Sequence, residues 1–102
     1  MAKMIMKFSY ETCAKWLREK AASLRSIGLN VTIKENDAPV RTILLRLESS
    51  KSMAELVVWE TGATSMMFIN LAKDDYDLNR HDLILVGDQF ESDLGEFFKL
   101  VK

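Results

Sequence analysis

Apolar residues recur at every third or fourth position in residues 9–27, which is the spacing of one face of an α-helix. Ser9 is a residue type that caps helix N-termini, and Gly28 is able to end a helix in the left-handed conformation. We therefore predict an amphipathic helix over residues 9–27. Its predicted apolar face consists of Cys13, Trp16, Leu17, Lys20/Ala21, Leu24 and Ile27, and its solvated side of Lys15, Arg18, Glu19, Ala22 and Arg25.

The period then changes to two, which is typical of strands with one buried face. The alternation predicts strands over residues 29–34, 40–48, 53–60 and 65–71, separated by short polar connections. Because parallel neighbours need long crossovers, these connections predict an antiparallel meander.

The third and fourth predicted strands, in the stretch VVWETGATSMMF, carry apolar residues on both faces. We assign one set to the face that the helices cover: Leu56, Val58, Met67 and Ile69. The other face then carries Leu44, Val57, Trp59, Met66 and Phe68. A contiguous exposed patch of that kind is typical of an interaction surface. A sheet covered by a helix on each face would show the same pattern, so both interpretations remain open.

The rest of the chain contains a polar segment, a short apolar run and a second helical pattern. We predict a loop over residues 72–81, a fifth strand over residues 82–86, and a helix that begins at residues 87–88 with a capping box formed by Asp88 and Glu91. The predicted apolar stripe of this helix consists of Phe90, Leu94, Phe97, Phe98 and Val101. Lys99 and Lys102 close the helix, as its dipole favours.

These elements predict an α+β fold. An N-terminal helix, a four- to five-stranded antiparallel meander sheet and a C-terminal helix follow in that order, with the helices packed on the sheet. The length of 102 residues corresponds to one domain, residues 1–102, with residues 1–8 as an N-terminal arm. Cys13 is the only cysteine, so no internal disulfide forms. A reducing, cytoplasmic location is therefore expected.

The net charge of −1 results from two halves of opposite sign. Residues 1–51 carry ten Lys/Arg and five Asp/Glu, whereas residues 52–102 carry four and ten. A nucleic-acid-binding protein would be basic overall, so that class is not expected. The acidic half is suited to a basic protein partner, although it is equally explained by solubility.

No pattern for catalysis or metal binding emerges. His81 lies in a polar segment and is expected at the surface, and Cys13 lies on an apolar helix face with no neighbouring histidine. The acidic residues 74, 75 and 77 superficially resemble a calcium loop, but the central glycine and the closing glutamate are missing. We therefore expect neither an enzyme nor a cofactor or metal.

Four segments follow one another before the aromatic-striped closing helix: KWLREKAASLRSIG, LNVTIKEN, VRTILLRLES and VVWETG. In the order of these segments the chain resembles the TriTu family of small bacterial immunity proteins, which occur beside polymorphic and contact-dependent growth inhibition toxins. Residues 58–62, VWETG, are similar to the W-E-S-G turn of that family, with Thr61 in place of the serine. The resemblance spans residues 13–101, but residues 73–86 show no family feature. The other matching positions are Trp16, Leu17 and Gly28.

The resemblance implies a cytoplasmic, non-enzymatic antidote that binds and occludes the C-terminal domain of a cognate toxin, often a basic nuclease. The residues alone leave an alternative, which is a self-associating structural or adaptor domain that uses the exposed apolar sheet face. A monomer or a weak homodimer is expected, with neither nucleic acid nor membrane as a partner.

Two sets of residues are predicted to matter for this function. The predicted partner-binding residues are Asp74, Asp75, Asp77, Glu60, Trp59 and Phe68. The predicted structural motif consists of Trp16, Gly28, Trp59, Glu60 and Gly62.

Overall fold

The first helix, α1, runs Tyr10–Ser26 in the computed structural model, which describes residues 8–100. The Ser9 hydroxyl accepts a hydrogen bond from the Thr12 amide at 3.2 Å, and Gly28 has a φ of +93°, so both predicted helix ends are confirmed. The predicted solvated side is exposed. Ile27 was wrongly placed on the apolar face: it is 68% exposed because the helix ends before it.

Five strands form one antiparallel sheet in the order β1-β2-β3-β4-β5, which confirms the predicted α+β meander. Each short connection leads the chain directly into the neighbouring strand. The strands are β1 (Asn30–Asn36), β2 (Thr42–Glu48), β3 (Ser52–Trp59), β4 (Ala63–Asn70) and β5 (Asp75–Ile84).

The β3–β4 hairpin has a different register from the one that the sequence predicted. Val58 pairs with Thr64 and Leu56 pairs with Met66, so even-numbered residues oppose even-numbered residues. A connection with one residue more or fewer would reverse the faces of β4. The assignment of Met67 and Ile69 to the covered face was therefore wrong. The apolar residues of the face away from the helices, here called the reverse face, are Leu44, Val57, Trp59, Met67 and Ile69.

Strand β5 occupies most of the segment that we predicted as a loop. The predicted fifth strand exists, but it begins at Asp75 and ends at Ile84 rather than covering residues 82–86. Register shifts interrupt the β4–β5 ladder at two places. As a result Leu78 and Leu83, which are an odd number of residues apart, both pack against the core, and the alternation is lost from the sequence.

Two short helices, α2 (Phe90–Asp93) and α3 (Gly95–Leu100), replace the single predicted C-terminal helix. Gln89 is the N-cap and makes no side-chain cap hydrogen bond, so the predicted capping box was wrong. The apolar stripe is confirmed at the described positions, since Phe90, Leu94, Phe97 and Phe98 are buried. Val101 and Lys102, like residues 1–7 of the predicted arm, lie outside the described residues.

All the described helices contribute to one core on one face of the sheet. The Trp16 ring of α1 lies 5.7 Å from the ring of Phe90 and 5.6 Å from that of Phe98, which joins α1 to α2 and α3. Fully buried sheet residues such as Leu45 and Leu56 lie beneath them. Within residues 8–100, the alternative that one helix covers each face does not hold, and the reverse face is only half-buried.

Candidate partner-binding surface

Negative charge concentrates at the last strand and the helices that follow it. Residues 73–100 carry eight acidic and three basic side chains, whereas residues 8–72 carry seven and eight. Because β5 is an edge strand and α3 packs beside it, much of this charge lies on one side of the molecule. We call this surface the acidic margin and define it by Asp74, Asp75, Asp77, Asp82 and Glu96.

Two cations are held within the acidic margin. Arg80 lies 3.1 Å from Asp82 and 3.4 Å from Glu96, and these carboxylates raise the pKa of its guanidinium. Lys73 lies 3.2 Å from Asp77. In the described part of the chain, Asp74 and Asp75 have no ion-pair partner, so no ion pair compensates these two charges of the β4–β5 turn.

Local backbone geometry explains why aspartates occupy this turn. Asp74 has a φ of +54°, a conformation that aspartate and asparagine adopt more readily than most residues. The Asp75 carboxylate accepts a hydrogen bond from the Tyr76 amide at 2.7 Å. Between β5 and α3, a groove of about 620 Å³ includes Asp77, Leu78, Glu96 and other side chains in its lining.

The predicted hairpin residues do not join this surface. Trp59 is half-buried on the reverse face at the end of β3, and Glu60 is exposed in the turn beyond it, whereas the aspartates lie at the opposite end of β4. Phe68 is only 8% exposed and belongs to the core. Its prediction as a partner contact was therefore wrong, because the hairpin register places it under the helices.

A polar chain that sequence reasoning missed crosses the reverse side of β4 and β5. The Ser65 hydroxyl lies 2.6 Å from Nδ1 of His81, and Nε2 of His81 lies 2.6 Å from Oδ1 of Asn79. The Ser65–His81 contact joins the two strands where the ladder is irregular, between Thr64 and Met66, and the His81–Asn79 contact lies within β5. His81 is exposed, as predicted, and its hydrogen bond between the two strands is a sufficient structural role for it.

Cys13 is fully buried in the core, and burial raises the pKa of its thiol to about 12. This confirms the predicted core role, because the thiolate is the reactive form. Among residues 8–100, no group of three or more His, Cys, Asp or Glu side chains is placed to hold a metal ion. None of the helices described is long and apolar enough to cross a membrane.

Comparison with known proteins identifies the family. A family model described as immunity protein TriTu matches residues 7–100. This chain belongs to the TriTu family of immunity proteins. A search of curated proteins found no match.

The positions that carry the TriTu resemblance make contacts within the fold of this family member. Trp16 joins α1 to the C-terminal helices, and Gly28 ends α1. Glu60 exchanges backbone contacts with Arg41: its amide donates to the Arg41 carbonyl at 2.9 Å, and its carboxylate accepts from the Arg41 amide at 3.4 Å. The Gly62 carbonyl accepts from the Leu85 amide at 2.8 Å. The motif thus holds the β3–β4 turn against its neighbours.

Proposed function

We propose that this immunity protein neutralises a cognate toxin domain with a basic, nuclease-type surface by covering that surface. The family match supports an immunity function. The acidic margin is the observation that supports a basic partner, since the excess of carboxylates lies on one side of the molecule instead of being spread evenly.

Electrostatics connects this surface to inhibition. A nuclease binds the phosphate backbone largely through lysine and arginine side chains. A protein that presents carboxylates to such a surface is steered towards it, and association becomes faster at low ionic strength. We therefore expect the protein to compete with nucleic acid for the toxin. Such a toxin acts inside the cell, and the free, buried thiol of Cys13 is compatible with a cytoplasmic location.

The test uses the toxin domain encoded by the neighbouring reading frame. Co-expression is expected to protect cells, the two proteins are expected to co-purify, and the purified protein is expected to displace a labelled nucleic acid from a catalytically inactive toxin domain. Failure to protect and to co-purify would refute the immunity proposal. Protection without displacement of nucleic acid would refute occlusion of a nucleic-acid-binding surface.

A second candidate function is self-association through the reverse face. Its apolar residues lie together on the side away from the described helices, and a contiguous patch of this kind is typical of an interface. Sedimentation velocity over a wide range of concentrations tests this candidate. A protein that remains strictly monomeric at high concentration would refute it.

A further inference from the structure

Most of the exposed large apolar side chains lie near the acidic margin. Two others in the described residues, Ile27 and Val40, lie at α1 and at the β1–β2 connection. Those in residues 71–100 are Leu71, Tyr76, Ile84, Val86 and Leu100. Exposed apolar groups and the carboxylates of the acidic margin therefore occur along the same edge of the sheet. This combination is typical of a protein interface, in which apolar anchors are surrounded by a polar rim.

Tyr76 and Ile84 are the two of these residues that lie on the reverse side of β5. Tyr76 is opposite Ile69 and Ile84 is opposite Ala63, so they extend the reverse face to the edge of the sheet. They are 48% and 64% exposed. Their partners on β4 are six residues apart, so at about 3.3 Å per residue Tyr76 and Ile84 are about 20 Å apart, which fits within the roughly 800 Å² that each partner contributes to a standard interface.

The two edges of the sheet differ in how they are covered. At β1, the Arg25 guanidinium of α1 donates to the Val31 carbonyl at 3.0 and 3.2 Å, and Arg18 forms a two-bonded ion pair with Glu35. The first of these contacts covers part of the outer backbone edge of β1. Most residues of both edge strands are exposed, five of seven in β1 and eight of ten in β5. In the described part of the chain no helix side chain donates a hydrogen bond to the β5 backbone, so the β5 edge is the more accessible of the two for a partner.

Resting on the proposed function, we infer that Tyr76 and Ile84 are the apolar anchors of the toxin-binding surface and that the acidic margin is its charged rim. The partner surface that fits them is an apolar patch framed by lysine and arginine side chains. A second copy of this chain fits poorly, because two acidic margins, in each of which five carboxylates outnumber Lys73 and Arg80, repel each other.

The two kinds of residue have separable kinetic roles. Buried apolar anchors resist dissociation, whereas the charges of a rim act mainly on the rate of encounter. Removal of an anchor without a change of charge is therefore expected to raise the dissociation rate. Removal of charge from the rim is expected to lower the association rate, and this effect is expected to shrink as salt is added.

The anchor test measures binding kinetics to the immobilised, catalytically inactive C-terminal domain of the neighbouring toxin. Tyr76→Ser and Ile84→Ser are each expected to raise the dissociation rate about tenfold or more, with association within about twofold of wild type. Ile27→Ser is the matched control, because Ile27 is as exposed as Ile84 but lies at the end of α1. The control is expected to bind like wild type.

The rim test compares two variants with equal changes of charge. The rim variant combines D74N, D75N and D77N, and asparagine also tolerates the positive φ at position 74. The control combines E11Q, E19Q and D37N, which lie on α1 and in the β1–β2 connection. The rim variant is expected to associate several-fold more slowly at low salt, and the control about as fast as wild type.

The outcomes separate this inference from the proposed function. Wild-type kinetics for Tyr76→Ser and Ile84→Ser, with the toxin bound by wild type, would overturn the inference and leave the immunity function standing. A wild-type chain that does not bind the toxin would overturn both. Amide hydrogen exchange of the wild-type protein, measured with and without the toxin domain, tests the inference without a variant. Slower exchange in the complex is expected for residues 75–84, and slower exchange confined to residues 30–36 would overturn the inference.

Discussion

The turn glycine of the family motif permits a quantitative test of the fold. Gly62 is buried with a φ of +95°, and a Cβ added there would lie 2.6 Å from the Leu85 carbonyl oxygen and 3.4 Å from the Phe8 ring. Gly28 has a similar φ of +93°, but a Cβ there would meet no atom within 4 Å. The two glycines therefore share a backbone cost and differ in a steric one.

The magnitudes follow from these two terms. A left-handed conformation costs an L-residue about 1–2 kcal/mol, part of which is offset by the lower entropy of the unfolded chain. We expect Gly28→Ala to lose about 1 kcal/mol. At Gly62 the contact with a backbone oxygen forces a shift that also weakens the Leu85–Gly62 hydrogen bond. Overpacking adds about 1–3 kcal/mol and the weakened bond about 1 kcal/mol, so Gly62→Ala is expected to lose about 3–5 kcal/mol.

Urea unfolding monitored by circular dichroism measures both losses. Gly95→Ala serves as a control for the substitution itself, because Gly95 has no positive φ and a Cβ there meets open space. It is expected to be neutral or slightly stabilising, by up to about 1 kcal/mol. If Gly62→Ala and Gly28→Ala lower the free energy of unfolding equally, backbone conformation alone explains the glycine at position 62. The close approach of the Leu85 carbonyl would then not require it.

Three further predictions concern the core, the reverse face and a surface ion pair. Trp59→Ala is expected to destabilise the protein less than Leu56→Ala, because Leu56 is fully buried and its truncation is expected to lower the free energy of unfolding by about 2–5 kcal/mol. If urea unfolding ranks the two variants the other way, the reverse face is covered. The Cys13 thiol, with its pKa raised to about 12, is expected to resist a thiol reagent until the protein unfolds, and rapid labelling of the native state would contradict its burial. The hydrogen bond from Arg18 lowers the pKa of Glu35, so this pair stabilises the fold above about pH 4.5 and loses its effect as the pH falls through the lowered pKa. Arg18→Ala is therefore expected to lower the free energy of unfolding at pH 7 but not at a pH below the lowered pKa. An equal loss at both pH values would contradict the assignment.

The sequence predicted elements well where local chemistry specifies them. The ends of α1 depend on Ser9 and Gly28, whose preferences act over a few residues. Strands β1 to β3 alternate without interruption, so the buried positions such as Ile43 and Leu45 were assigned correctly.

The errors arose where the fold depends on how strands are aligned. Apolar residues occupy both faces of β4, so composition gave no preference between Phe68 and Met67 for the core. The number of residues in the β3–β4 turn determines which of the two faces the helices. Strand β5 was missed because register shifts separate Leu78 from Leu83 by an odd number of positions. Tyr76 and Ile84 could not be recognised as surface anchors until that strand was placed.

The exposure of β5 has a consequence for how such a protein diversifies. Eight of its ten residues are exposed, so substitutions at those positions cost little folding stability, whereas the residues that hold the sheet to the helices lie in the core, to which β5 contributes Leu78 and Leu83. If β5 carries the anchors inferred above, recognition and folding are encoded by nearly separate positions. A lineage that must match a changing toxin is free to rewrite this strand repeatedly without compensating mutations in the core.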